Sequence, residues 1–274
     1  MTAEATAIAP RTHGPSQRLA AVQTFFALME RDLRVLRREF LPFLARTAMQ
    51  PALLVFVWGY ILPKIGQAQR GFSDVLTPGL VGSAVLLQGI QAVAIPLVQE
   101  FSVTREIEDR VMAPLPVWGV AAEKITFAFL QALIAGLVVF PFVYTIPLQT
   151  PHLHVSILPL ITVLPLGALA SASLGLWIGT AFSPRQIPLV FSLIVLPLSF
   201  LGAVYYPWSQ LGSIRWLQIV TLANPMVYMN EGLRGALSPQ YGHMNYWAIY
   251  AGLLAGCIFF TFFSMRLFIR RVVS

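Results

Sequence analysis

The sequence predicts an all-α polytopic membrane protein, on three observations. Of its 274 residues, 57% are hydrophobic and only 11% charged, whereas a soluble domain carries about 25% charged residues. The charges are segregated, leaving uncharged windows at 47–63, 75–99, 125–184, 186–214 and 235–265. Each window can hold a helix that crosses a hydrocarbon core about 30 Å thick. Finally, the runs are apolar on every face, while strands of a membrane β-barrel alternate in polarity over about ten residues, so backbone satisfaction in lipid points to helices. One Arg, Lys or Asp at mid-bilayer costs about 2.5–3.5 kcal/mol on insertion, which accounts for the segregation.

Residues 1–18 lack an apolar core of signal-peptide type and lead into charge, so they are expected to form a flexible cytoplasmic tail rather than a cleaved leader. The remaining 19–274 form one transmembrane domain. Over 22–43, Met29, Leu33, Leu36, Phe40 and Phe43 recur at helical spacing, and Glu30, Arg31, Arg34, Arg37 and Arg38 lie mainly on the other faces. That pattern suits a helix in the cytoplasmic interface with its arginines toward lipid phosphates, and it would equally suit packing on a partner. Pro42 offers a bend into the bilayer. Spans are expected at about 45–63, 75–98, 118–146, 157–182, 187–206 and 246–265, six in all. The long window 125–184 is counted as two because "LQTPHLHVS" at 148–156 interrupts it.

Between spans five and six, residues 207–240 are aromatic and apolar for much of their length. The uncharged piece between Arg215 and Glu231 holds only 15 residues, too few to cross. A re-entrant segment broken at Asn224 and Pro225 is expected, with Glu231 and Arg234 three apart and able to pair on one helix face. Alternate connectors carry fourteen of the 18 Lys and Arg, which puts both termini in the cytoplasm and makes nucleic acid an unneeded explanation for the formal charge of +7. Cys257 is alone. His152 and His154 form a pair in a short outer turn without a third metal ligand.

The connector "VQEFSVTREIEDRVMAPLP" at 98–116 is charged and faces the cytoplasm. Within it, about 104–113 can form a short helix, with Thr104 as N-cap, Glu106 and Glu108 at its positive start and Pro114 as its stop. Val103, Ile107 and Val111 fall on one face. The physics leaves two readings open: a small helix that inserts into a groove on a cytoplasmic protein, or a solvated loop.

The order "DVLTPGLVGSAVLLQGI", "TREIEDRVMAPLPVWGVAAEKI" and "YYPWSQLGSIRWLQIVTLANPMVYMNEGLRGAL" resembles the membrane subunit of ABC-2 type exporters, in particular the branch of nodulation-factor and daunorubicin-type exporters. The resemblance implies a homodimer, or a pair with a related permease, in a bacterial-type cytoplasmic membrane. It also implies an interfacial helix, a re-entrant hairpin, and a coupling helix docked on a separate ATP-binding subunit. On that reading Glu100, Arg105, Glu106, Asp109 and Arg110 are the coupling candidates. The family's usual Glu-Arg-Glu-x-Gly-Thr is altered here, since the glycine is missing after Arg105-Glu106-Ile107. No GxxxxGK[ST] loop occurs, so the chain is expected to be no enzyme and to carry no cofactor, with Mg-ATP held by the partner. The expected cargo is an amphiphilic drug or lipid, the alternative a lipid-linked oligosaccharide. A secondary transporter or an intramembrane enzyme would need ionisable groups or an activated nucleophile within the spans.

Overall fold

The computed structural model describes residues 15–67, 71–101 and 115–273, and among these every regular element is helical. In chain order they are α1 (Pro15–Arg38), α2 (Phe40–Lys64, with a wide π-type turn at Phe56–Ile61), α3 (Phe72–Gln99), α4 (Val117–Thr145) and α5 (Ile157–Ala181). Then follow α6 (Ile187–Phe200), α7 (Arg215–Thr221), α8 (Pro225–Leu237) and α9 (Tyr246–Val273). Five of them, α2, α3, α4, α5 and α9, are long and apolar enough to cross a membrane.

Helix α3 is the central post. Most of its apolar window is buried inside the protein, whereas most of α2 and α9 is left facing outward. Small residues make this possible. On α5, Ala168, Ser171, Ala172, Gly175 and Gly179 are all buried, and a side chain on Gly175 would stand 2.7 Å from the Ile90 carbonyl oxygen of α3. Backbones in lipid associate through such close approach, because burying apolar side chains gains little when the solvent is itself apolar.

Three expectations change. The helix predicted over 22–43 starts earlier and breaks at Glu39, so Phe40 and Phe43 belong to α2, and Pro42 sits in its first turn, where a missing N–H costs nothing. The apolar stripe divides accordingly. Met29 and Phe43 are buried while Leu33 and Phe40 remain exposed, and α1 packs inward through Ala21, Phe25 and Leu28. The stretch expected as a span over 187–206 stays helical only to Phe200, about 21 Å at the usual rise. The last helix continues beyond 265 to Val273, carrying Arg266, Arg270 and Arg271 past the apolar run. The predicted coupling helix at 104–113 lies outside the described residues.

Candidate functional site

Polar side chains collect at four places in this apolar bundle. The largest collection lies on α8. Asn224 caps its N-terminus, its Oδ1 accepting from the Met226 N–H at 3.0 Å, and Pro225 follows in the first-turn position that suits it. Asn224 Nδ2 donates to the Leu198 carbonyl at 2.8 Å, Asn230 Nδ2 to that of Gly202, and Arg234 Nη2 to that of Ala203 at 2.9 Å. These acceptors lie in the last turn of α6 and just beyond it. A helix end leaves its final carbonyls without intrahelical partners, and in lipid such groups cost several kcal/mol each. One face of α8 therefore supplies what α6 lacks at the point where it stops.

Arg234 and Glu231 are fully buried and paired, as their spacing suggested. Glu231 is saturated further: Oε1 accepts from the Trp208 N–H at 2.9 Å and Oε2 from the Met244 N–H at 2.8 Å. The carboxylate thus ties the chain before α7 and the chain before α9 to α8. Ala203 adopts a left-handed φ of 57°, and Gly79 on α3 allows the following residue to lie against the helix. A side chain at Gly79 would stand 2.6 Å from the backbone carbon atoms of Val204, so the Pro78-Gly79 motif marks a close crossing of main chains.

A second knot sits at the start of α3. Asp74 accepts from the His152 main-chain N–H at 2.8 Å and from the Tyr241 hydroxyl at 3.0 Å, while its carbonyl accepts from Ser238 Oγ at 2.7 Å. Partial burial first, and the neighbouring carboxylate second, push the Tyr241 phenol above its ordinary range, so it remains a donor. His152 and His154 contribute through main-chain N–H groups, His154 to the Leu237 carbonyl at 2.9 Å.

The third place is the opposite end of α3. Glu100 pairs with Lys124 at 2.7 Å, both buried, joining the end of α3 to the start of α4. These two helix ends flank residues 102–114. Beside them, the Arg271 guanidinium lies 4.4 Å over the Phe101 ring and donates to the Thr180 carbonyl in the last turn of α5. The fourth place is a relay at mid-height: Thr47 donates to Gln88 at 3.1 Å, and Gln88 donates to Gln131 at 2.9 Å, linking α2, α3 and α4.

Of the predicted residues, the structure brings together Asn224, Pro225, Glu231 and Arg234, and places Glu100 at the root of the connector. Arg105, Glu106, Asp109 and Arg110 lie outside the described residues. Arg31, Arg34, Arg37 and Arg38 line the exposed side of α1, Arg34 pairing with Glu30. Sequence reasoning missed Asp74, Lys124 and the Thr47–Gln88–Gln131 relay. The two glutamines stood out as amides within apolar windows, which is a usable signal in a membrane helix; nothing local marked Lys124 as the partner of Glu100.

A family model for the ABC-2 type transporter matches residues 23–238, most of the chain and all of these sites save Tyr241, Met244 and Arg271. The chain belongs to the ABC-2 type transporter family. A search of curated proteins gave no significant match. As an ABC-2 membrane protein it is the permease component of an ABC transporter, and ATP hydrolysis resides in a separate subunit. Against that background the four polar places divide into two kinds. The α8 clamp, the Asp74 knot and the glutamine relay join the permease to itself, while the Glu100–Lys124 pair stands where a connector leaves the bundle.

Proposed function

We propose that the permease forms the membrane half of an ATP-driven exporter that moves an amphiphilic small molecule, drug or lipid out of the cytoplasm or inner leaflet, and that the 104–113 segment couples it to the ATP-binding subunit. The observation that carries the coupling assignment is the buried Glu100–Lys124 pair. A connector hung on two independent helix ends would absorb a push from below, whereas ends locked by a desolvated ion pair move together and pass the displacement on to α3 and α4. Nucleotide then biases a two-state membrane assembly through that joint. Arg105, Glu106, Asp109 and Arg110 set recognition and register on the partner, as interfacial charges do.

Six crossings place both termini in the cytoplasm of a bacterial-type cell. Helix α6 makes the fifth crossing, with Leu201–Tyr206 completing the distance under cover of α8, and α7–α8 forms the re-entrant hairpin on the outer side. The exposed Trp216, Ile219 and Val220 of α7 against the buried length of α8 support that arrangement. Helix α1 lies along the inner interface with Arg31, Arg34, Arg37 and Arg38 toward lipid phosphates, and two copies of the chain enclose the cargo path.

The test is charge reversal at Arg105 and Glu106 in permease reconstituted with its ATP-binding subunit. Export and stimulated ATP hydrolysis should both be lost while the protein stays folded. Persistence of both would remove the coupling assignment, and transport by the permease alone along an ion gradient would remove the exporter reading.

A further inference from the structure

A cleft of about 530 Å³ opens between α1, α2, α3 and α4, within the range of about 300–1,000 Å³ typical of small-molecule sites. It follows α3 from Glu100 at the helix end to Gln88, roughly 18 Å at the helical rise. Its charged residues are Arg31, Asp32, Glu39, Arg46 and Glu100. Arg31 lies 4.0 Å from Asp32, and Glu100 is paired with Lys124. Arg46 and Glu39 add one charge of each sign, and Lys124, just outside the lining, offsets the remaining negative charge of Glu100, so the cleft offers no net charge to a ligand.

Its other polar groups are amides: Gln88, Gln91, Gln99 and Gln131. Gln131 is about nine-tenths buried. Its Oε1 accepts from Gln88, while its Nε2 has no hydrogen-bond partner among the described residues and faces the cleft. An amide both donates and accepts, so these side chains can meet a ligand hydroxyl in either role. On the rim, Val35 and Ile95 are exposed, and Phe43 and Phe127 complete the wall. The cleft is thus amide-lined in depth, balanced in charge at its mouth and apolar along one edge.

We infer that this cleft binds an amphiphile with an uncharged, hydroxyl-rich headgroup, the headgroup hydrogen-bonded to Gln88, Gln91 and Gln131 and the apolar body leaving past Val35 and Ile95 into the bilayer. An anionic or cationic headgroup would meet no complementary excess and would lose its hydration at that depth, a cost the amides do not offset. The leaflet, though not the site, rests on the inside-out topology proposed above.

The experiment uses the full chain in lipid nanodiscs and an octyl glucoside carrying a diazirine on its tail, with cross-links mapped by mass spectrometry. Labels should fall on the cleft faces of α2, α3 and α4. Excess octyl glucoside should suppress them, and free glucose, octyl phosphocholine and octyl sulfate should not. A diacyl glucosylglycerol supplied in the disc separates a two-chain bilayer lipid, which competes, from a single-chain amphiphile, where it does not. Gln91→Leu removes an amide that makes no hydrogen bond among the described residues and so should leave the fold intact. Labelling should fall about tenfold, the equivalent of ~1.4 kcal/mol, and Gln131→Leu should act in the same direction. Equal competition by the charged octyl compounds, or full labelling in Gln91→Leu, overturns the inference. ATP-driven transport is read separately, so failure here leaves the coupling assignment standing, and failure there leaves this site standing.

Discussion

Two buried carboxylate–cation pairs among the described residues of the permease are built differently. Glu231 and Arg234 are three residues apart on one helix, fully enclosed, and both make further hydrogen bonds to main chain from elsewhere in the fold. Glu100 and Lys124 come from different helices and lie at the edge of the bundle, flanking a connector. The first pair organises irregular backbone, since without it the carbonyl of Ala203 and the N–H groups of Trp208 and Met244 would be left in an apolar interior. The second holds two long helices in a fixed relation. Burial by itself does not reveal a charged pair's task; what it joins does.

That contrast is breakable by mutation. Arg234→Met should have the largest effect, because it leaves Glu231 buried without its cation, about 3–5 kcal/mol. Little folded permease should be recovered from membranes, as judged by size-exclusion profile and thermal midpoint. Gly79→Ala comes next: it forces a side chain against the Val204 backbone and should cost about 1–3 kcal/mol as overpacking, read as a lowered midpoint with no specific loss of coupling.

The Glu100–Lys124 pair should behave otherwise. Glu100→Lys and Lys124→Glu should each weaken stimulation of ATP hydrolysis more than they lower the thermal midpoint, and the double exchange should restore stimulation. A coupling energy of about 0.5–3 kcal/mol is expected, as for other side chains in direct contact. If both single variants instead fail to fold, the division between the two pairs disappears.

The smallest expected effect is at the Asp74 knot. Tyr241→Phe removes the hydroxyl donor to Asp74 and should cost about 0.5–1.5 kcal/mol. Because the folded phenol titrates above its ordinary value, its contribution is present below about pH 10 and is lost as pH rises through the folded value. The alkaline decline of the thermal midpoint should therefore be shallower in Tyr241→Phe than in the parent permease.

Much of the site was legible before folding, and the limits follow from chemistry. The break at Asn224-Pro225 was readable because a cap and an N1 proline act within one turn, and the Glu231–Arg234 pair because residues three apart on a helix must be neighbours. Glu100 was singled out, but its partner was not, since the choice of Lys124 depends on how α3 and α4 cross. The end of α6 at Phe200 was likewise missed, because Gly202, just past it, stands in an apolar run where a membrane helix tolerates glycine.

The amino-acid sequence by itself determined that the chain is helical and membrane-embedded, where most of its long helices lie and where its charge is confined, because desolvation acts on each residue separately. The tertiary structure alone decided that α6 ends early under the polar face of α8, that Asp74 gathers the loops at the start of α3, and that a glutamine-lined cleft lies beside α3. Those outcomes depend on distant groups arriving within hydrogen-bond reach, and only the packing of the helices sets those distances.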